Sequence, residues 1–185
     1  MPNQALEQTR DGVLRYGESV GCELLNFFVS PKTMNNNEFS DYWAFLVEKK
    51  YSTHAALSSD ERIFYAANAF RGSVPRSGLV GYFENTECDE IRDAHHALET
   101  LGLFESLRLL RDAQDIVLNG KSLPENNQCI SVFDYDLPDE EVEKAMEVVG
   151  QRLREIEGEL YLQDEATYDS LCRFADERGL RVPKG

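Results

Sequence analysis

From residue 37 almost to the end, the chain sets apolar stripes at helical spacing between polar breaks. Phe39, Tyr42, Trp43, Leu46 and Val47 recur at i, i+3, i+4, i+7 and i+8, the stripe of a helix with one buried face. Ser58 or Ser59 offers a cap for a second helix, with Asp60 and Glu61 in its favourable first turn. Ile63, Tyr65, Ala66, Ala67 and Phe70 populate it, and Gly72-Ser73-Val74-Pro75 is expected to end it. A short helix is predicted over 78–84. Two more are predicted over 89–101, closed by Gly102, and 104–118, closed by Asn119-Gly120. Residues 121–128 read as loop, and 129–135 is the best strand candidate, though without an obvious pairing partner.

The clearest periodicity begins near Pro138, a residue tolerated at a helix start. Val142, Met146, Val149, Leu153, Ile156 and Leu160 form one apolar seam, and Asp139, Glu140 and Glu141 complement the dipole of the first turn. A last helix over 164–178 carries Tyr168, Leu171, Cys172 and Phe174, with Gly179 as its stop. The expected fold is all-α or mostly α: a compact multi-helix domain of about six to eight helices, with at most one short extended segment near 129–135. Residues 1–35 read as an N-terminal appendage, because Gly12, Gly17 and Gly21 weaken any helix there. The stretch up to Val29 also resembles a translated repeat found at the ends of unrelated bacterial reading frames. Residues 36–185 are then one helical domain, a size that a single core serves.

Charge changes this picture most. The chain has 34 acidic and 19 basic residues, a net charge of −15, and the excess is greatest after Leu123. Nucleic-acid binders gain affinity by replacing phosphate counterions with Lys and Arg, so direct binding to nucleic acid or to an anionic membrane is not expected. Basic partners are; a merely solubilising surface is the plainer use of the same charge. No apolar run approaches the roughly 20 residues of a membrane span, and Met1-Pro2-Asn3-Gln4 does not open like a signal peptide. Cys22, Cys88, Cys129 and Cys172 lie far apart in sequence and read as reduced thiols. The expected compartment is the cytoplasm.

Residues 74–85, Val-Pro-Arg-Ser-Gly-Leu-Val-Gly-Tyr-Phe-Glu-Asn, follow a helix and precede another. Ala97-Leu98-Glu99-Thr100-Leu101-Gly102-Leu103 comes next, then a helix over 107–117. Residues 57–117 resemble the bacterial DNA-mimic protein family, small acidic helical proteins. Their turn has the form V-x-N-G-G-F-x-x-Y-F-x-N, followed by A-L-x-x-I-G-A. Gly78, Tyr82, Phe83, Asn85 and Gly102 fall in register, whereas Arg76 and Ser77 replace the Asn-Gly of the pattern. The resemblance implies a helical fold in which these residues are structural. It also implies an acidic surface that occupies the DNA-binding site of a helix-turn-helix transcription regulator. Physical reasoning agrees about the turn: Gly78 permits a backbone bend, Tyr82 and Phe83 fill core, and Asn85 is placed to cap the next helix. A ligand-binding glycine loop is the rival reading, weakened by the lack of a preceding strand.

Between Asp134 and Asp169 there are 13 acidic and 3 basic residues. Glu140, Glu143 and Glu147 lie opposite the apolar seam, at separations of about 5–6 Å between neighbouring Cβ atoms, comparable to successive phosphates of a strand. Asp134, Asp136 and Asp139 extend the charge before and into the helix, and Glu155 continues it. These seven are the candidate partner-binding residues. Lys144, Arg152 and Arg154 interrupt the stripe, as a solvated helix face would also allow. A second cluster, Glu84, Glu87, Asp89, Glu90 and Asp93, has the simpler role of complementing a helix dipole.

Catalytic ingredients are thin, and no cofactor or metal is expected. His54 sits in a loop-like context, and His95 and His96 point about 100° apart on one helix. Asp89, Asp93 and His96 could share a helix face, yet no H-E-x-x-H, nucleophile elbow or phosphate loop accompanies them. Cys88 lies between Glu87 and Asp89, which disfavour its thiolate. The leading reading is therefore a non-enzymatic acidic module that binds a basic DNA-binding protein. Its alternatives are an immunity-type inhibitor of a basic nuclease toxin and an enzyme with an unrecognised site. The long helix could also pair with its symmetry mate in a homodimer.

Overall fold

Asn35 starts the first helix. Its side chain accepts from the Asn37 and Glu38 amides at 3.0 Å, and the Glu38 carboxylate accepts from the Asn35 amide at 3.0 Å, so two orphan donors are satisfied reciprocally. The computed structural model, which describes residues 33–53 and 56–183, contains α1 Asn36–Tyr51, α2 Ser59–Asn85, α3 Cys88–Thr100, α4 Phe104–Val117, α5 Asp139–Leu162 and α6 Asp164–Arg178. The described fold is all-α, as the periodicities predict. The appendage expected at 1–35 lies outside the described residues up to position 32, as does His54.

Of the two capping serines, Ser58 is the one used. Its hydroxyl accepts from the Glu61 amide at 3.3 Å, and Glu61 returns a carboxylate to the Ser58 amide at 2.7 Å. The helix does not end at Gly72–Pro75 as expected. It runs through Pro75 and breaks only at Gly78, whose φ of 67° and ψ of 178° are non-helical. Proline removes one amide donor. The Ser73 and Ser77 hydroxyls donate to the carbonyls of Ala69 and Ser73, and Phe70 and Val74 hold this stretch in the core. Burial thus outweighs the local helix-breaking preference.

Two groups of buried residues form the core. Tyr42 and Leu46 of α1 pack with Phe64 of α2 and Leu171 of α6. Leu79 and Phe83 of α2 pack with Ile91 and Leu98 of α3, Leu110 of α4 and Leu153 of α5. Gly102, at φ 71°, lets the chain reverse between α3 and α4. Among the described residues, 129–135 forms no strand: there is a single antiparallel bridge between Glu87 and Cys129. The segment is extended loop, pinned by the buried Ile130 and Phe133 and by the Ile130 amide donating to the Phe83 carbonyl at 3.2 Å.

Candidate protein-interaction surface

The long helix α5 follows from its seam. Val142, Leu153, Ile156 and Leu160 are buried, Val149 is half-buried, and Met146 stays exposed near the helix start. Pro138 caps α5, with its carbonyl accepting from the Glu141 and Val142 amides. Because the seam faces the core, 100° per residue turns Glu140, Glu143 and Glu147 to the opposite side within an arc of about 60°. All three are exposed, as are Asp139 and Glu155. Asp134 and Asp136 lie exposed in the preceding loop, where the Asp134 carboxylate accepts from the Asp136 amide at 3.1 Å.

These seven acids are unpaired, a property they share with several other described acids such as Glu48, Glu99 and Asp169. Among the described residues none of them forms an ion pair, and neither do Lys144, Arg152 or Arg154. Three acids farther along the chain are committed to the fold. Glu157 accepts from the Leu79 amide at 2.6 Å, Glu159 pairs with Arg108 at 3.1 Å, and Asp164 pairs with Arg71 at 2.7 Å. The outward face of α5 and its lead-in therefore present fixed negative charge that no described cation neutralises at contact distance.

Four of the five acids of the second cluster are engaged internally. Asp89 pairs with Arg92, Glu90 with Lys50, and Glu87 accepts from Asn127 at 2.6 Å. Asp89 and Glu90 also occupy the first turn of α3. Glu84 accepts a hydrogen bond from the Tyr135 hydroxyl at 3.1 Å, which brings the end of α2 beside the Asp134–Asp136 loop. No sequence signal announces this contact, since the two residues are 51 positions apart.

Tyr82 and Phe83 are buried, and Gly78 sits at the break in α2. Asn85 is a correction: it does not cap α3. Its side-chain amide donates back to the Gly81 carbonyl at 2.7 Å, and Glu87 occupies the cap position without a side-chain bond. The helix C-terminus is the competitor that wins, because Asn85 is still in α2 and faces the carbonyl one turn back.

Groups with chemical potential are dispersed. Among the described residues no three His, Cys, Asp or Glu side chains converge as metal ligands. His95 is partly buried near Arg111, and burial first and that guanidinium second push its pKa down to about 4. The Cys88 thiol is pushed up, chiefly by burial, with Asp89 adding to it. Cys88, Cys129 and Cys172 are free, and no helix is long and apolar enough to cross a membrane, among the described residues.

A sequence model of the DMP19-like protein family matches residues 55–178, which include α2 to α6 and every candidate acid. The chain belongs to the DMP19-like family. That family is one of DNA-mimic proteins, and the match extends past the 57–117 segment that carries the visible motif, through the whole of α5. No curated protein and no solved structure matches the chain.

Proposed function

We propose that the acidic face of α5 and the loop before it occupy the DNA-binding surface of a basic DNA-binding protein, such as a helix-turn-helix transcription regulator. The observation that carries this reading is the set of seven exposed carboxylates, Asp134, Asp136, Asp139, Glu140, Glu143, Glu147 and Glu155, none of them ion-paired among the described residues. Membership of a DNA-mimic family supplies the expectation; the rigid helix supplies a means. A packed helix orders its backbone before docking, so only the side chains lose freedom, and anionic complementarity speeds association in a salt-dependent way. The role is inhibitory and non-catalytic, exercised in the cytoplasm where such a regulator meets its operator. A second copy of the chain cannot use the seam for pairing where Leu153, Ile156 and Leu160 are already covered; any homodimer would dock elsewhere.

The test is affinity capture from native lysate at low salt followed by elution at high salt. A single basic DNA-binding protein is expected in the eluate, and the folded triple variant E140K/E143K/E147K is expected not to retain it. Retention by that variant would overturn the assignment of the face. Recovery of a nuclease toxin would favour the immunity reading, and a spread of ribosomal proteins would reduce the surface to nonspecific attraction.

A further inference from the structure

Arg62 of α2 and Asp93 of α3 line one cavity of about 370 Å³, where the end of α1, the middle of α2 and the start of α3 meet. Its size falls at the lower end of small-molecule sites. The same two residues line a neighbouring hollow of about 360 Å³ with Ser59 and His96, so both are reached from two sides. Neither side chain forms an ion pair or a hydrogen bond among the described residues. The other charges nearby are committed. Lys50 pairs with Glu90, and Lys49 pairs with Glu61 at 2.7 Å. The aromatic floor is closed: Phe70 and Tyr82 are buried, and Tyr65 is covered by Trp43 and Lys50. Recognition therefore falls to the charged mouth.

Asp93 is half-buried, and burial pushes its carboxyl up although Arg62 and Lys50 pull it down. Asp89 and Glu90 push it further up. A half-buried carboxylate with no hydrogen-bond partner has given up hydration for little in return. An ammonium group repairs that deficit with a charge-assisted hydrogen bond. Arg62 is exposed, and its planar fork of donors matches a carboxylate. The two side chains are thus opposite in sign and close enough to feel each other, yet not in contact. The charge of the whole chain, −15, repels anions and draws in any cation. A zwitterion carries no net charge, so only the local pair selects it.

We propose that the mouth of this cavity binds a free α-amino acid with a small, uncharged side chain, its carboxylate on Arg62 and its ammonium on Asp93. The side chain of the ligand lies against Leu57 and Ala69, the half-buried apolar part of the wall. The ligand needs nothing from the closed floor. The site shares no residue with the acidic face, and its success or failure leaves the DNA-mimic reading untouched.

The experiment is a heteronuclear NMR titration of the full chain with L-alanine, L-serine and L-valine, at about 0.15 M salt to screen long-range attraction. N-acetyl-L-alanine, which lacks the ammonium, and L-alaninamide, which lacks the carboxylate, are the comparisons. Saturable shifts are expected for at least one of the three amino acids at the amides of Arg62, Ala69 and Asp93. Each derivative is expected to bind about tenfold more weakly than alanine or worse. Arg62→Gln should weaken the amino acids about tenfold and leave the weak binding of alaninamide unchanged. Asp93→Asn should weaken the amino acids by a similar factor and leave the thermal midpoint of the free protein unchanged or raised. Circular dichroism confirms the fold of both variants. Should one fail to fold, the comparison of alanine with its two derivatives on the unaltered chain still decides. The proposal is overturned if none of the three amino acids saturates, if either derivative binds as tightly as alanine, or if either folded variant binds like the unaltered chain.

Discussion

The Glu157 carboxylate accepts a hydrogen bond from the Leu79 amide at 2.6 Å, across 78 positions of sequence. Leu79 opens the second half of α2 after the break at Gly78, so its amide has no partner inside the helix. Glu157, on α5, takes the place of a capping side chain and sets a negative charge at a helix start. The carboxylate also lies where a side chain at position 78 would begin: a Cβ there would stand 2.8 Å from Glu157 Oε1. The break in α2 and the docking of α5 are thus one feature.

Gly78→Ala is expected to destabilise the protein by about 2 kcal/mol or more, because its backbone lies in a region essentially reserved for glycine and its Cβ meets the carboxylate. Glu157→Ala should cost about 1–3 kcal/mol through the unmet Leu79 amide. Chemical denaturation of both variants and of their combination checks this. The double variant removes the clash but not the backbone strain, so it should not recover wild-type stability.

Ser58→Ala should cost about 1 kcal/mol, because it removes half of the reciprocal cap with Glu61. Ser59→Ala should be near neutral. The pair of denaturation midpoints measures which serine holds the helix start.

His95 makes stability depend on acid. Its folded pKa, about 4, is below the ordinary 6.5, so the unfolded chain binds the extra proton first. This contribution is present above about pH 6.5 and is lost as pH falls towards 4. Allowing for partial exposure, the loss is about 1–2 kcal/mol. His95→Gln should flatten the pH profile of the melting temperature across that window, and an unchanged slope would place the acid sensitivity elsewhere.

The triple reversal E140K/E143K/E147K should leave the fold intact. Each side chain is exposed and unpaired among the described residues, where substitutions usually stay within about 0.5 kcal/mol. Glu140, in the first turn, adds a dipole cost of about 0.3–1 kcal/mol. Thermal melts should show a small shift beside a large loss of partner binding.

Local periodicity by itself determined much of this protein. The α1 stripe, the cap-and-acid start of α2, the Pro138 entry to α5 and the Gly179 stop of α6 rest on contacts within a few residues, and such contacts are written in the order of residue types. The net charge and the acids opposite the α5 seam are also sequence properties. Tertiary structure decided the remainder. Burial of Phe70 and Val74 carried α2 through Pro75, and among the described residues 129–135 makes one bridge, to Glu87. Packing also assigned the acids their roles: Glu157 and Glu159 were committed to α2 and α4, while Glu140, Glu143 and Glu147 were left facing outward. A carboxylate's partner, or its lack of one, depends on which distant amide or guanidinium the fold brings within about 3 Å, and nearest-neighbour patterns do not encode that distance.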